Sequence, residues 1–591
     1  MEVYFQLIED AEKLREACAD LSGEKYLGFD TETSELDPFD GILRLVQLSN
    51  GRNTIVVDLL KFHRFGNLSA CRELEPLRKL LAAERPVKIA HNAKFDAKWV
   101  GHHLGVDVGG TFDTMIASQL IAAGDQDRRH SLADVASFFL GTEVDKSEQI
   151  SDWTAETLSD SQIEYAAKDA AIMVPLREKL AERLQSDGLE GAAKIEFDCV
   201  TPVARMELNG FFIDQQCWRE QLSIVKKEQE SIAFELQEML SAGVAQASLF
   251  GSAQINLDSQ SQVADALRNL GVPIPETTRG WQMQPLVKDY PVVGKLLEYR
   301  GVAKSLTSFG ENILEFVDER TGRIHADFRQ IGAPTGRFSC SKPNLQQIPH
   351  GTEYRKCFRA EDGNTLVIAD YSQIELRILA EFSRDERFIE AFRSGADFHA
   401  SAAAQVFGVK PSEVTPEQRT FAKRLNFGVV YGIGAQRLAL ITGFSEREAE
   451  NVLRKYFATY RGLDEWLRDA GSRAVETRSA RTASGRMARF RFDEEQKAQV
   501  SSTRRNGKNM PIQGTSADIL KRALAILHKS ISGTSAMLVN IVHDEIVVEC
   551  AEAEAESTAQ KLKASMIAAA EEFVKHVPVD VDVNISNDWR H

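Results

Sequence analysis

Leu366-Val367-Ile368-Ala369-Asp370-Tyr371-Ser372-Gln373-Ile374-Glu375-Leu376-Arg377 is an apolar run that ends on an acid and then turns helix-like. Apolar residues over Thr365–Asp370 predict a buried strand. A second run, Ile541-Val542-His543-Asp544-Glu545-Ile546-Val547-Val548, carries its acids in the middle. Apolar flanks on both sides, over Ala536–Val548, predict a β-hairpin with a tight acidic apex. An acid in apolar company costs free energy unless it is paired or metal-bound. For each run alone, a capped turn is a competitive explanation. If the two strands adjoin, Asp370 and Asp544 form a two-metal clamp of the kind used in phosphoryl transfer.

Between the two runs lies the most informative helix. Thr415-Pro416-Glu417-Gln418 has the composition of a capping-box start, with Pro at the first helical position. The helix should run to about Tyr431, where Gly432 and Gly434 stop it. Arg419, Lys423, Phe427 and Tyr431 recur every fourth residue, so they share one broad face. An amphipathic core helix would place Leu or Val there. Cations at one end and aromatics at the other suit a polyanion with a planar ring attached, such as a nucleoside triphosphate.

A second set of acids lies near the N-terminus. Leu27-Gly28-Phe29-Asp30-Thr31-Glu32-Thr33 reads as a strand end with two carboxylates on one face. His91-Asn92-Ala93-Lys94-Phe95-Asp96 adds a third acid, and Tyr165-Ala166-Ala167-Lys168-Asp169 places a Tyr and an Asp on one helix face. Four carboxylates converging without Lys or Arg would repel unless divalent cations neutralise them, and oxygen ligands suit Mg²⁺ or Mn²⁺. Two such ions can activate a water and stabilise the leaving oxygen of a phosphodiester, with Tyr165 orienting the water. Asp113, between these segments, reads as structural.

The surrounding chain agrees with a large soluble enzyme. Its 591 residues exceed one ordinary core, so three or four domains or subdomains are expected. Hydrophobic residues at 43% and charged residues at 27% exclude long disorder. No apolar run is long enough to span a membrane, and no signal or transit peptide is visible. The net charge of −16 argues against a polyanionic partner, but about −13 of it falls in residues 1–190. Residues 473–522 hold 12 Lys/Arg against 5 Asp/Glu, a stripe compatible with phosphate contact. The seven cysteines form no C-x-x-C pair, so neither a disulfide framework nor a zinc site is expected. Residues 1–188 read as α/β, with strands at Val3–Ile8, Tyr26–Asp30, Leu43–Ser49, Thr54–Asp58 and Val87–Ala90. Residues 190–330 read as mostly helical, with a polar break near Ala245–Ser261, and strands mix with helices thereafter.

Taken together, Asp370–Arg377, Arg419–Gly432 and Val542–Val548 resemble motifs A, B and C of the family A DNA polymerases. Thr335-Gly336-Arg337-Phe338-Ser339, Pro343–Pro349 and Lys508–Asp518 resemble further segments of that family. The acids of residues 1–188 resemble the three motifs of DEDD-type 3′–5′ exonucleases, in the form with Tyr four before the last Asp. The resemblance implies an α/β and α+β multidomain chain: an RNase H-like exonuclease domain followed by a right-hand polymerase with palm, fingers and thumb. The boundaries it implies are 1–188 for the exonuclease, 189–330 for the thumb, 331–386 and 535–591 for the palm, and 387–534 for the fingers and template-binding helices.

The resemblance also implies roles. Asp370 and Asp544 should hold two Mg²⁺ or Mn²⁺, assisted by the Tyr371 carbonyl with Glu545 nearby. Asp30, Glu32, Asp96 and Asp169 should hold two more, with Tyr165 positioning water. Arg419 and Lys423 should grip the triphosphate, and Lys423 should donate a proton to the leaving pyrophosphate. Phe427 should stack on the nucleotide, and Tyr431 should abut the templating pair. Glu375 should exclude the ribose 2′-hydroxyl, while Gln373 and His399 should complete the dNTP site. Arg337, Arg505, Asn509, Gln513 and His543 should contact DNA. The implied partners are primer–template DNA and dNTPs, with a monomer expected in the cytoplasm of a bacterial or phage-infected cell, or in an organelle matrix. Glu375 and the proofreading motifs separate this reading from single-subunit RNA polymerases. Three departures from the family pattern, Phe338-Ser339-Cys340-Ser341, Gln347 and His350-Gly351, touch template-strand details. No room for a 5′-nuclease domain is seen ahead of the exonuclease strand, so no flap cleavage is expected.

Overall fold

The computed structural model describes residues 3–62, 68–125, 127–144, 146–241, 255–274, 278–349, 353–395, 397–430 and 432–590, without the side chains of Trp281 and Val430. Tyr431, His350-Gly351 and most of the Ala245–Ser261 break fall outside these residues. The chain divides into two compact units. One comprises residues 1–210, 325–346 and 362–587; the other comprises 211–324, 347–361 and 588–591.

Among the described residues, the first unit contains two large sheets and two two-stranded ones. Its N-terminal sheet is built from β1 (Tyr4–Ile8), β2 (Tyr26–Thr33), β3 (Leu43–Ser49), β4 (Asn53–Asp58), β5 (Val87–Ala90) and β6 (Thr111–Asp113). Its order is β1-β4-β3-β2-β5-β6, with β3 antiparallel to both neighbours and the other pairings parallel. The near-continuous burial of β3 and β4 explains their unbroken apolar runs. Four helices position the acids: α1 (Ala93–His103), α2 (Thr114–Ala122), α3 (Asp160–Ser186) and α4 (Glu190–Asn209). Ser159 and Gln162 close a capping box at the start of α3. The N-terminal strand carrying Asp30 does not end there. It continues to Thr33, because Glu32 stays paired with Leu45 across the sheet.

In the second unit, α5 (Gln215–Ser241) and α6 (Pro291–Ser308) enclose a core that includes Leu236, Leu240, Leu267, Val293 and Leu296. At its base Trp218, Phe358 and Trp589 pack as an aromatic group. Here the cysteine expectation needs correction. Cys217 and Cys357 form a disulfide with Cα atoms 5.4 Å apart. Their separation of 140 residues leaves no spacing signal, since the pairing exists only once the chain returns beside α5.

The second sheet of the first unit carries the C-terminal acids. β7 (Asn364–Tyr371) is followed by α7 (Ile374–Ser383), α8 (Phe398–Phe407), α9 (Pro416–Val430) and α10 (Lys497–Ser530). The chain then forms β8 (Met537–Val542), β9 (Glu545–Ala551), α11 (Ala555–Glu571) and β10 (Val581–Ser586). The sheet is antiparallel in the order β8-β9-β7-β10. The hairpin expected around Asp544 is present, joined by the two-residue turn His543-Asp544. At the start of α9, Thr415 and Gln418 make both hydrogen bonds of the capping box, 3.0 and 3.3 Å.

Candidate active sites

The N-terminal acids converge. Asp30 and Glu32 project from β2, Asp96 from the first turn of α1 and Asp169 from α3. Gly28 makes this possible. A Cβ there would lie 1.9 Å from the carbonyl oxygen of Ala170, so only Gly lets α3 press its acid against β2. Asp113 explains the placement of Asp96. Its carboxylate accepts the amide hydrogens of Asn92 and Ala93 at 3.3 and 2.8 Å, and of Met115 and Ile116 at 2.8 and 3.0 Å. One carboxylate thus caps α1 and α2 together and fixes the start of the helix that carries Asp96.

The electrostatics follow from that convergence. Burial, then Asp96, Glu32 and Asp169, push the Asp30 carboxyl well above the carboxylate range. Burial and Asp169 do the same to Glu32. Burial pushes Asp96 up to about 7, opposed by the hydroxyl of Thr31, which donates to Asp96 Oδ1 at 2.7 Å. Tyr165 lies one helical turn before Asp169; burial and the hydrogen bond to Asp169 raise its phenol.

The C-terminal acids form a second centre. Asp370 lies in register with Glu545 on β9 and Asp582 on β10, so three carboxylates stand abreast, with Asp544 at the adjoining turn. Burial, then Asp544 and Glu545, push Asp370 up to about 8; burial pushes Asp544 up to about 6. Asp370 Oδ1 is buried with no hydrogen-bond partner among the described residues. His543 and Gln373 adopt left-handed backbone conformations, φ +57° and +56°, which non-glycine residues rarely take. Both sets therefore fit divalent cations: they offer crowded, buried carboxylate oxygens whose charge is held down by burial and by one another.

A cleft of about 740 Å³ opens beside Asp370. Arg337, Gln373, Glu375, Tyr371, His399, Arg419, Lys423, Phe427, His543 and Asp544 all line it, as expected of neighbours in one site. Arg337 makes an ion pair with Glu375, and Arg419 with Asp397. Arg505, Asn509 and Gln513 lie on α10 but do not line this cleft, and Glu545 is buried in the sheet. Asp582 lines the cleft and was missed from sequence, because Val581-Asp582-Val583-Asn584 reads as an ordinary half-exposed strand. The turn bearing Arg337 rests on a buried charge cluster that sequence also gave no hint of. Arg486 donates to Asp518 at 2.7 and 2.8 Å and to Glu196; Lys521 pairs with Glu196 and donates to the Gly336 carbonyl at 2.6 Å.

Comparison with known proteins accords with this geometry. Residues 225–591 match the DNA polymerase family A profile, and residues 5–185 match a 3′–5′ exonuclease profile. DNA polymerase I of Aquifex aeolicus is 34% identical over 99% of both chains. DNA polymerase I of Pseudomonas aeruginosa is 30% identical over 96% of this chain, which spans 64% of that relative's length. A solved structure, the POL domain of Pol1 from M. smegmatis in complex with DNA primer-template and dNTP, superposes with a TM-score of 0.82 at 26% identity over 99% of both chains. The chain belongs to DNA polymerase family A, and joins a 3′–5′ exonuclease domain to a DNA-directed DNA polymerase domain.

Proposed function

We propose that the two acidic centres are separate active sites on one chain, one extending a primer and the other removing its 3′ end. The observation that carries this is the pair of crowded carboxylate sets, the second of which lines a cleft with Arg419, Lys423 and Phe427 of α9. Both domain families work with divalent metals; two Mg²⁺ or Mn²⁺ at each set would supply the positive charge that lets the carboxylates ionise and activates the attacking oxygen. Asp370, Asp544 and the Tyr371 carbonyl would hold one set, and Asp30, Glu32, Asp96 and Asp169 the other.

Within the polymerase cleft, Arg419 and Lys423 bind the triphosphate of a dNTP, and Lys423 protonates the departing pyrophosphate. Phe427 stacks on the nucleotide. Glu375 and Gln373 border the sugar, with Arg337 and His543 toward the primer terminus. Arg505, Asn509, Gln513 and Tyr431 follow the template. At the other centre, Tyr165 orients the attacking water. We assign residues 189–330 to the thumb, 331–386 and 535–591 to the palm, and 387–534 to the fingers; of the thumb, residues 211–324 fall in the second compact unit. No helix among the described residues is long and apolar enough to cross a membrane. The relatives are bacterial DNA polymerase I chains, and the role assigned to this one is a cytoplasmic monomer acting in DNA replication or repair. The reading assigns no 5′-flap cleavage to these 591 residues. Single-nucleotide insertion by Lys423→Ala tests it: kcat should fall by about 100-fold or more, the scale of a lost general acid. Insertion at the wild-type rate would remove Lys423 from the chemistry.

A further inference from the structure

His399, expected to complete the dNTP site, is paired in the interior with Asn426, a residue that no role above explains. Asn426 lies on α9, one residue before Phe427 and off the cationic stripe. It is fully buried, and its Nδ2 donates to His399 Nδ1 at 2.9 Å. Its Oδ1 is buried without a partner among the described residues. A side chain present only for packing would not carry that cost, since a leucine of similar size would fill the space.

The pair settles the chemistry of the imidazole. With Nδ1 accepting from the amide, a neutral His399 must carry its proton on Nε2. His399 lines the polymerase cleft with Arg419, Lys423 and Phe427. A ring with Nδ1 turned to the Asn426 amide therefore has Nε2–H as its only donor. The opposite tautomer would have a bare lone pair there, which repels phosphate oxygens. The charged groups around the ring are Asp397 on its own helix and Arg419 and Lys423 on α9. Burial, with Asp397 opposing and Arg419 and Lys423 adding, holds His399 down at about 4. The ring is therefore neutral at working pH, and its usefulness to a polyanion depends on which nitrogen holds the proton.

We propose that Asn426 is a positioning residue for nucleotide binding: it fixes His399 as the Nε2–H tautomer, so that a neutral imidazole donates to the triphosphate of the incoming nucleotide. This rests on the reading of the cleft as the dNTP site. It also joins α8 to α9 at the site itself.

Steady-state single-nucleotide insertion by the full chain tests the proposal, with wild type, Asn426→Leu and Asn426→Asp compared from pH 6 to 9. Exonuclease rate on single-stranded DNA reports folding. Asn426→Leu should raise KM for dNTP about tenfold, the loss of one charge-assisted hydrogen bond, with kcat within about twofold. Asn426→Asp accepts from Nδ1–H instead. Its KM should stay raised across pH 6 to 9, like that of Asn426→Leu, because the neutral ring then keeps its proton on Nδ1; wild type should be flat. ¹⁵N spectra of histidine-labelled wild type, assigned by difference from His399→Gln, should show a bare Nδ1 and a protonated Nε2. A protonated Nδ1 in wild type would overturn the proposal even if both variants fail to fold. So would a folded Asn426→Leu with unchanged KM and pH profile. A wild type that never extends primers would instead refute the dNTP-site reading beneath it.

Discussion

Asp96→Asn separates what the exonuclease carboxylates do for function from what they cost the fold. Asp96 is 2% exposed, and its carboxyl is pushed up to about 7, mainly by burial. A raised carboxyl costs nothing below the unfolded value near 3.8; the cost grows as pH rises and is complete above about 7. A displacement of about three units corresponds to about 4 kcal/mol at most. The amide remains a buried polar group, and it keeps the hydrogen bond from Thr31. About half the amount, on the order of 2 kcal/mol, should therefore be recovered by Asn. For a domain of this size that is a rise of roughly 4–8 °C in the first thermal transition. The assay is differential scanning calorimetry in EDTA at pH 4.5 and 8.5. Asp96→Asn should melt higher than wild type at pH 8.5 and nearly with it at pH 4.5. Mg²⁺ should raise the wild-type transition at pH 8.5 and should raise the variant less. Exonuclease activity should fall by about 100-fold or more while primer extension is kept. A variant that melts at or below wild type in EDTA at pH 8.5 would refute the claim that burying the ionised Asp96 carboxyl costs the metal-free fold stability.

Two further outcomes follow from the polymerase half. Glu375→Ala removes the carboxylate proposed to border the sugar and its ion pair with Arg337, so kcat/KM for ribonucleotides should rise relative to dNTPs by about 100-fold; an unchanged ratio, measured by competing rNTP and dNTP insertion, would remove Glu375 from sugar selection. Glu196→Gln leaves Arg486 and Lys521 short of one buried negative charge, so urea denaturation should show a loss of about 3–5 kcal/mol; a loss below about 1 kcal/mol would mean the cluster is solvated or rearranged.

How much of this was legible depended on the range of the signal. The strands and α9 follow from short-range patterns: apolar runs bounded by polar turns, and the Thr415–Gln418 capping box. Asp30, Glu32, Asp370 and Asp544 stood out only in combination: each run alone is equally well explained by a capped turn or an incidental acid, and the agreement of several segments with two family patterns singled them out. The features that escaped depend on contacts between distant segments. Glu196 meets Lys521 across 325 residues, and Cys217 meets Cys357 across 140. Asp582 reaches Asp370 only through sheet order, and Asn426 is distinguished from a packing residue only by the imidazole it faces.

The most direct test of the central claim is a single gel assay on a 5′-labelled primer–template in Mg²⁺, with and without dNTPs, comparing wild type, Asp544→Ala and Asp30→Ala. Two independent sites predict that wild type extends with dNTPs and shortens without them, that Asp544→Ala loses only extension, and that Asp30→Ala loses only shortening. Loss of both activities in either variant, with the fold intact, would contradict it.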